Sequence, residues 1–268
     1  MVDAAAPIGV FDSGIGGLTV ARELMHQLPA ESLIYFGDTA RVPYGPKSPD
    51  TVRRYSREIS TYLRERGVKA LVVACNTATA HALPALQAEE PIPVIGVVEP
   101  GARAAVAATR GGKIGVIGTA GTIRSGAYER AIRALRPAAE IVARPAPLFV
   151  PLVEEGWLDH PAARLVAREY LEPFHAERVD TLVLGCTHYP LLKPLIAEVL
   201  GPEVALIDSA EQTAAEARRV LGSRNLLAAA GAAPQRRYVA SDAPDQFLRM
   251  AERFLGEPID GVETHTLG

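Results

Sequence analysis

The 268 residues, 48% hydrophobic and 22% charged, can bury one large or two medium cores, and so ordinary a composition excludes a disordered or fibrous chain. With 28 Lys and Arg against 31 Asp and Glu the formal net charge is −3, which excludes a global attraction to nucleic acid or anionic lipid. The opening MVDAAAPIGV has no basic segment followed by an apolar one, and no later run nears about 18 apolar residues, so a cytoplasmic protein without a membrane partner is expected.

From there on, short runs rich in Val, Ile and Leu alternate with amphipathic segments, the pattern of parallel strands joined by helices. A strand is predicted to begin at Ile8, with a helix over Thr19 to Gln27 after it. A second strand begins at Ser32 and leads through the irregular loop DTARVPYG, Asp38 to Gly45, into a helix over Asp50 to Arg66. Strands begin at Ala70, Val94 and Ile114, the last followed by a helix over Thr122 to Leu135. A strand from Glu140, a helix over Pro161 to Phe174, strands from Thr181 and Val204, and a helix over Glu211 to Leu221 complete the order. The strand runs are nearly continuous in apolar residues, as strands buried on both faces must be.

A weak internal repeat organises these elements. GVFDSG from Gly9 resembles GVIGTA from Gly115, and LVVACNTA from Leu71 resembles LVLGCTHY from Leu182. The copies keep their spacing, since Ser13 precedes Cys75 by nearly as many residues as Thr119 precedes Cys186. The repeat implies an α/β fold of two pseudo-symmetric lobes, each a mainly parallel sheet flanked by helices, with the active site in the cleft between them. VVEPGA after Val97 and IDSAEQ after Ile207 read as crossings between the lobes. The first lobe is then residues 1–98 plus 211–268, and the second is 99–210.

Two cysteines in so long a chain cannot form a disulfide framework. Each ends a buried-strand pattern and is followed by hydroxyl or amide residues, Asn76 and Thr77 in one copy, Thr187 and His188 in the other. That strand end faces the binding crevice in open α/β sheets. One such cysteine alone reads as a small buried hydrophobe. Two at equivalent places in facing lobes meet across a cleft. Inverting a carbon centre means removing a proton from one face and supplying one to the other, and two opposed thiols do this without a swinging base. A free thiol has a pKa of about 8.5, so thiol and thiolate can coexist near neutrality and exchange roles in each turnover.

FDSGIGGLTV places Asp12 and Ser13 at a strand end, and its glycines turn the chain tightly into a helix. It lacks both G-x-G-x-x-G and the phosphate loop with its Lys, which argues against a nucleotide. A small anionic substrate suits backbone amides together with Ser13, Asn76, Thr77, Thr119 and Thr187. Any one of these hydroxyls is as easily a turn or cap residue. Pro43 and Gly45 fix a turn from which Tyr44 could cover a substrate. His188, two residues after Cys186, reads as a proton shuttle or thiol-tuning group, with Asp12 as its counterpart in the first lobe. Glu154 in PLFVPLVEEG reads as readily as a surface residue as a catalytic one. The scattered histidines and separated cysteines give no metal site, and no Lys has a context for pyridoxal phosphate, so no cofactor is expected.

GVFDSGIGGL, DTARVPYG, VVACNTAT, PLFVPLVEEG and LVLGCTHYPLL, in this order and spacing, closely resemble the bacterial glutamate racemases, and the likeness runs over nearly the whole chain. It implies interconversion of L- and D-glutamate without cofactor, a product that feeds peptidoglycan synthesis, and a homodimer. Carried over onto matching positions, it implies that Cys75 deprotonates D-glutamate and Cys186 L-glutamate, with Asp12, Glu154 and His188 assisting. It also implies that Asp12, Ser13, Tyr44, Gly45, Asn76, Thr77, Thr187 and His188 line the pocket. Many members of that family carry a cysteine just before PLFVP, where this chain has Ala146, outside the catalytic pair.

The chemistry of the residues leaves other readings open. The same thiol pair could act on aspartate or another acid. A cysteine hydrolase would need one thiol and a base and would leave the second cysteine without a purpose. Inhibition of DNA gyrase, attributed to some of these racemases, would make the chain a binding or regulatory protein.

Overall fold

Two parallel sheets carry the fold in the computed structural model, which describes residues 3–267; residues 1, 2 and 268, at the ends of the expected first lobe, lie outside the described residues. The chain runs β1 (Ile8–Asp12), α1 (Leu18–Gln27), β2 (Leu33–Gly37), α2 (Pro49–Glu65), β3 (Ala70–Val73), α3 (Asn76–Glu89) and β4 (Val94–Gly96). It continues as α4 (Val98–Ala108), β5 (Lys113–Gly118), α5 (Ala120–Ser125), α6 (Ala127–Leu135), β6 (Glu140–Pro145), α7 (Phe149–Glu154), α8 (Pro161–Ala176), β7 (Thr181–Gly185), α9 (Lys193–Leu200) and β8 (Ala205–Asp208). The tail adds α10 (Ser209–Ser223), β9 (Arg236–Ala240), α11 (Pro244–Leu255) and β10 (Glu263–Thr264).

The first sheet has the order β10-β9-β2-β1-β3-β4 and the second β6-β5-β7-β8. Without the two tail strands the orders match strand for strand, so the sequence repeat is a topological one: β1 corresponds to β5 and β3 to β7. The central strands β1, β3 and β7 are buried along their length, which is why they read as unbroken apolar runs. The strand starts lie within one residue of those predicted.

Helix starts follow local chemistry. Ser48 caps α2 by accepting from the Thr51 N–H at 3.3 Å, with Pro49 in the first turn where its missing donor costs nothing. The single helix predicted over Thr122 to Leu135 is two, because Gly126 adopts a left-handed φ of 63° and ends α5. Several helices escape the periodicity argument. In α3 an internal Pro84 and an almost uniformly apolar composition hide the pattern. In α4 the Pro-Gly pair of VVEPGA looks like a turn. Strand β9 begins with two exposed arginines before its three buried residues.

The connections interleave the two halves. After β4 the chain leaves the first sheet, and α4 packs on α6 and β7 in the second. After β8, α10 returns to lie along α1, with Ala210, Ala214 and Ala217 buried on a small-residue face that permits close approach. The tail then adds β9 beside β2, in register from Leu33 with Arg236 to Gly37 with Ala240.

At the amino end of the first sheet, Lys69 is fully buried, pairs with the buried Glu31 and donates to the Ala4 carbonyl at 2.6 Å. Glu31 also accepts from the Ala228 N–H at 2.8 Å, so one ion pair ties the amino terminus, the sheet and the tail together. Removing one partner leaves the other charge buried and uncompensated. Lys69→Met should therefore lower stability by about 3–5 kcal/mol in urea unfolding, whereas Arg54→Met, at an exposed long pair, should change it by less than about 1 kcal/mol.

Candidate active site

Parallel strands present all their carboxyl ends on one side, and here the two sheets turn those ends toward each other. Asp12 is the last residue of β1, and Ser13 follows it. Cys75 lies two residues beyond β3 and is the N-cap of α3; Thr119 caps α5 just beyond β5; Cys186 follows β7 directly. Between them lies a small cavity of about 50 Å³. It is lined by Asp12, Ser13, Tyr44, Gly45, Cys75, Asn76, Thr77, Thr119, Glu154, Cys186, Thr187 and His188, so every candidate named from the sequence reaches one space. Gly14, Ile15, Val42, Pro43 and Val150 complete the lining. Nothing in their residue types marks these as site residues, but their adjacency to Asp12, Ser13 and Tyr44 could have found the first four.

The two thiols have unlike surroundings. Cys75 Sγ accepts from the Ala78 N–H at 3.4 Å and lies 3.7 Å from Ser13 Oγ, so the first turn of α3 faces the sulfur. Burial, and after it the neighbouring Asp12, push the Cys75 thiol up to about 12 against the pull of Ala78 and Ser13. Cys75 is thus a thiol at neutral pH. Burial also lifts the Asp12 carboxyl above the usual carboxylate range, opposed by His188 and by the backbone N–H groups of Gly17, Gly14 and Ser13.

On the other side, Cys186 Sγ lies 3.9 Å from His188 Nδ1, and His188 Nε2 meets Glu154 Oε1 at 3.0 Å. Burial alone would depress the imidazole. The hydrogen bonds to Cys186 and Glu154 outweigh it and raise His188 to about 10, so an imidazolium stands beside the sulfur. Glu154 is the last residue of α7, and its contact with His188 joins residues far apart in the sequence.

The lobes meet without a gap at Gly16, where any Cβ would overlap Thr187 Oγ1 and the His188 ring. Thr19 Oγ1 donates across the same seam to the Thr187 carbonyl at 3.0 Å. Thr77 Oγ1 of the first lobe lies 2.8 Å from Thr119 Oγ1 of the second, and both reach Thr122. These hydroxyls act as caps and as an inter-lobe bridge together.

Tyr44 is held from behind. Its hydroxyl donates to the buried Asp38, which also accepts from Arg41 Nε at 2.8 Å and Ser241 Oγ at 2.9 Å. Burial, then Asp38, raises the Tyr44 phenol far above its ordinary value, so it stays neutral. The motif DTARVPYG therefore carries its own anchor in its first residue.

Two buried polar atoms of lining residues have no hydrogen-bond partner, Asp12 Oδ1 and Asn76 Nδ2, while Asn76 Oδ1 accepts from Tyr128 at 2.7 Å. Such atoms cost roughly 1–3 kcal/mol each unless paired. A ligand with both an ammonium and a carboxylate would satisfy an acceptor and a donor of this kind. Among the described residues no three His, Cys, Asp or Glu side chains converge as metal ligands would, and no helix is long and apolar enough to cross a membrane.

The family model described as Asp/Glu/hydantoin racemase matches residues 8–217. A glutamate racemase of Geobacter metallireducens is 57% identical over 255 residues, covering 95% of this chain and 94% of that protein. Among solved structures, a glutamate racemase isoform from Bacillus anthracis superposes with a TM-score of 0.94 at 45% identity, covering 98% of both chains. One from Francisella tularensis, in complex with D-glutamate, gives 0.92 at 40% identity, again with 98% of both chains covered.

The raised His188 makes a signed prediction. Between its ordinary value of 6.5 and about 10 the folded state holds a proton that the unfolded state has lost, so this contribution to stability is whole below pH 6.5 and is lost as pH climbs through about 10. Urea unfolding at pH 6 and pH 10 should show a larger loss for the parent protein than for His188→Asn. Equal losses would mean that the imidazole is not held charged.

Proposed function

The chain belongs to the Asp/Glu/hydantoin racemase family, and we propose that it interconverts L-glutamate and D-glutamate by proton transfer at Cα between two opposed thiols, without a cofactor. The observation that carries this reading is that two free cysteines, each at the carboxyl end of an equivalent strand, line one small cavity with opposite partners, Asp12 beside Cys75 and His188 beside Cys186.

In the direction from L-glutamate, the Cys186 sulfur as thiolate takes the Cα proton, forming S–H as C–H breaks. The electron pair passes into the Cα-carboxylate system, and the Cys75 thiol gives its proton to the opposite face, leaving a thiolate. Cys75, held protonated by burial, is already the acid that this direction needs. His188 balances charge on Cys186 and exchanges its proton, with Glu154 fixing the imidazole orientation. From D-glutamate the roles reverse, and Asp12, whose own carboxyl is lifted by burial, is placed to receive the proton that Cys75 must lose. The weak acidity of a Cα proton makes stabilisation of the carbanionic carboxylate the largest requirement, and the backbone N–H groups and hydroxyls at the strand ends are the donors for it.

Within this reading Ser13, Asn76, Thr77, Thr119 and Thr187 hold the carboxylates, Asp12 meets the ammonium, and Tyr44 with Gly45 closes the pocket. The lobes are residues 1–98 with 211–268 and residues 99–210, and an amino acid enters by their parting about the two crossings. Supply of D-glutamate to peptidoglycan synthesis, a cytoplasmic location and a homodimer belong to the same proposal and rest on the likeness to glutamate racemases.

Incubation with D-glutamate in heavy water, with no added cofactor, should show racemisation with solvent deuterium entering Cα. Cys75→Ser and Cys186→Ser should each lose at least about 100-fold in kcat. Aspartate should exchange much more slowly. Retention of full activity in either serine variant would overturn the two-thiol mechanism, and no exchange with either acid would overturn the activity.

A further inference from the structure

The tail helix α11 touches the Cys186 side of the site at two points. Arg253 Nη1 donates to the Val153 carbonyl at 3.1 Å and to the Glu154 carbonyl. These belong to the last turn of α7; the Val153 carbonyl also accepts from the Gly156 N–H at 3.0 Å, and a guanidinium there complements the negative end of the helix. One residue further along α11, the fully buried Phe254 sets its ring edge-to-face against His188, with centroids 5.2 Å apart and planes at 82°. The two neighbouring residues thus contact the two ends of the pair formed by Glu154 Oε1 and His188 Nε2 at 3.0 Å. Phe149 and Val153 anchor α7 in the core, while the Glu154 side chain, 35% exposed, sits on the helix's last residue.

We infer that Arg253 is a positioning residue for the Cys186-side relay: by holding the Val153 and Glu154 carbonyls it sets where the Glu154 carboxylate meets His188, while Phe254 sets the plane of the imidazole. The inference rests on the proposed racemase reading for its effect on turnover, but not for its effect on His188 itself. Gly156 completes the latch, because a Cβ there would press on the Arg253 guanidinium. The latch joins the carboxyl-terminal segment, whose strand β9 belongs to the first sheet, to a helix that follows β6 of the second. Any parting of the lobes that moves α11 relative to α7 would then loosen the relay and remake it on closure.

The charged and titratable groups facing His188 are Cys186, Glu154 and Asp12, and Arg253 reaches the ring only through the backbone of Glu154. The test compares the parent protein with Arg253→Met, Arg253→Lys, Glu154→Gln and the double variant Glu154→Gln/Arg253→Met. Two readouts are taken, glutamate racemisation and the NMR titration of the His188 ring. Arg253→Met should lower kcat by about tenfold with little change in KM and move the His188 midpoint down from about 10. Arg253→Lys should recover part of both, and the double variant should be no slower than Glu154→Gln alone.

An unchanged His188 titration in a folded Arg253→Met variant, or losses that multiply in the double variant, would overturn the inference. If no protein in the series racemised glutamate, the proposed activity would fall, while the titration alone would still decide whether Arg253 positions Glu154.

Discussion

The contact of Gly16 with Thr187 and the His188 ring brings the carboxyl ends of two sheets together with no side chain between them. The site depends on this approach. The turn after β1 slides under the turn after β7, the cavity shrinks to about 50 Å³, and both thiols become buried. Burial in turn gives the ionisable groups their character, because inside a small buried space each charge is set largely by its immediate partners. The same seam is stitched by Thr19 to the Thr187 carbonyl and by Thr77 to Thr119, so the geometry of the cleft is set by short polar contacts as well as by apolar packing.

The backbone is nearly symmetric about this seam and the electrostatics are not. Equivalent strands deliver equivalent cysteines, yet Cys75 sits at the N-cap of a 14-residue helix beside a carboxyl group, while Cys186 sits beside an imidazolium backed by Glu154. Two identical half-sites would both be acids or both be bases at a given pH. The unlike partners give the two thiols different electrostatic surroundings. Asp12 links the halves, since it faces both Cys75 and His188.

The tail breaks the symmetry of the fold as well. It extends the first sheet by β9 and β10, lays α10 along α1, and places α11 where Phe254 meets the His188 ring and Arg253 the end of α7. Ser241, just beyond β9, supports Asp38 and through it Tyr44. One segment without a counterpart in the repeat therefore braces both walls of the cavity.

By itself the sequence determined the features that depend on short-range pattern. Apolar runs of strand length, repeated at matched spacing, located eight strands and two lobes, because burial on both faces leaves a continuous signature. The two lone cysteines at equivalent strand ends, together with the hydroxyl and amide residues beside them, pointed to residues that line one cavity. The helix over Pro244–Leu255 lies beyond the last predicted element, although Pro stands in its first turn, Phe247, Ala251, Phe254 and Leu255 are its buried residues and Gly256 follows it. The structure alone decided which distant residues meet. Glu154 reads as surface or site until His188 is placed 3.0 Å from it, 34 residues on in sequence. Arg253 carries no local signal at all, because its partners are backbone carbonyls about 100 residues away that any sequence could supply. Nor could pattern foretell that burial and Asp12 push Cys75 up while Cys186 and Glu154 hold His188 charged, since those balances exist only where the two sheets meet in the folded chain.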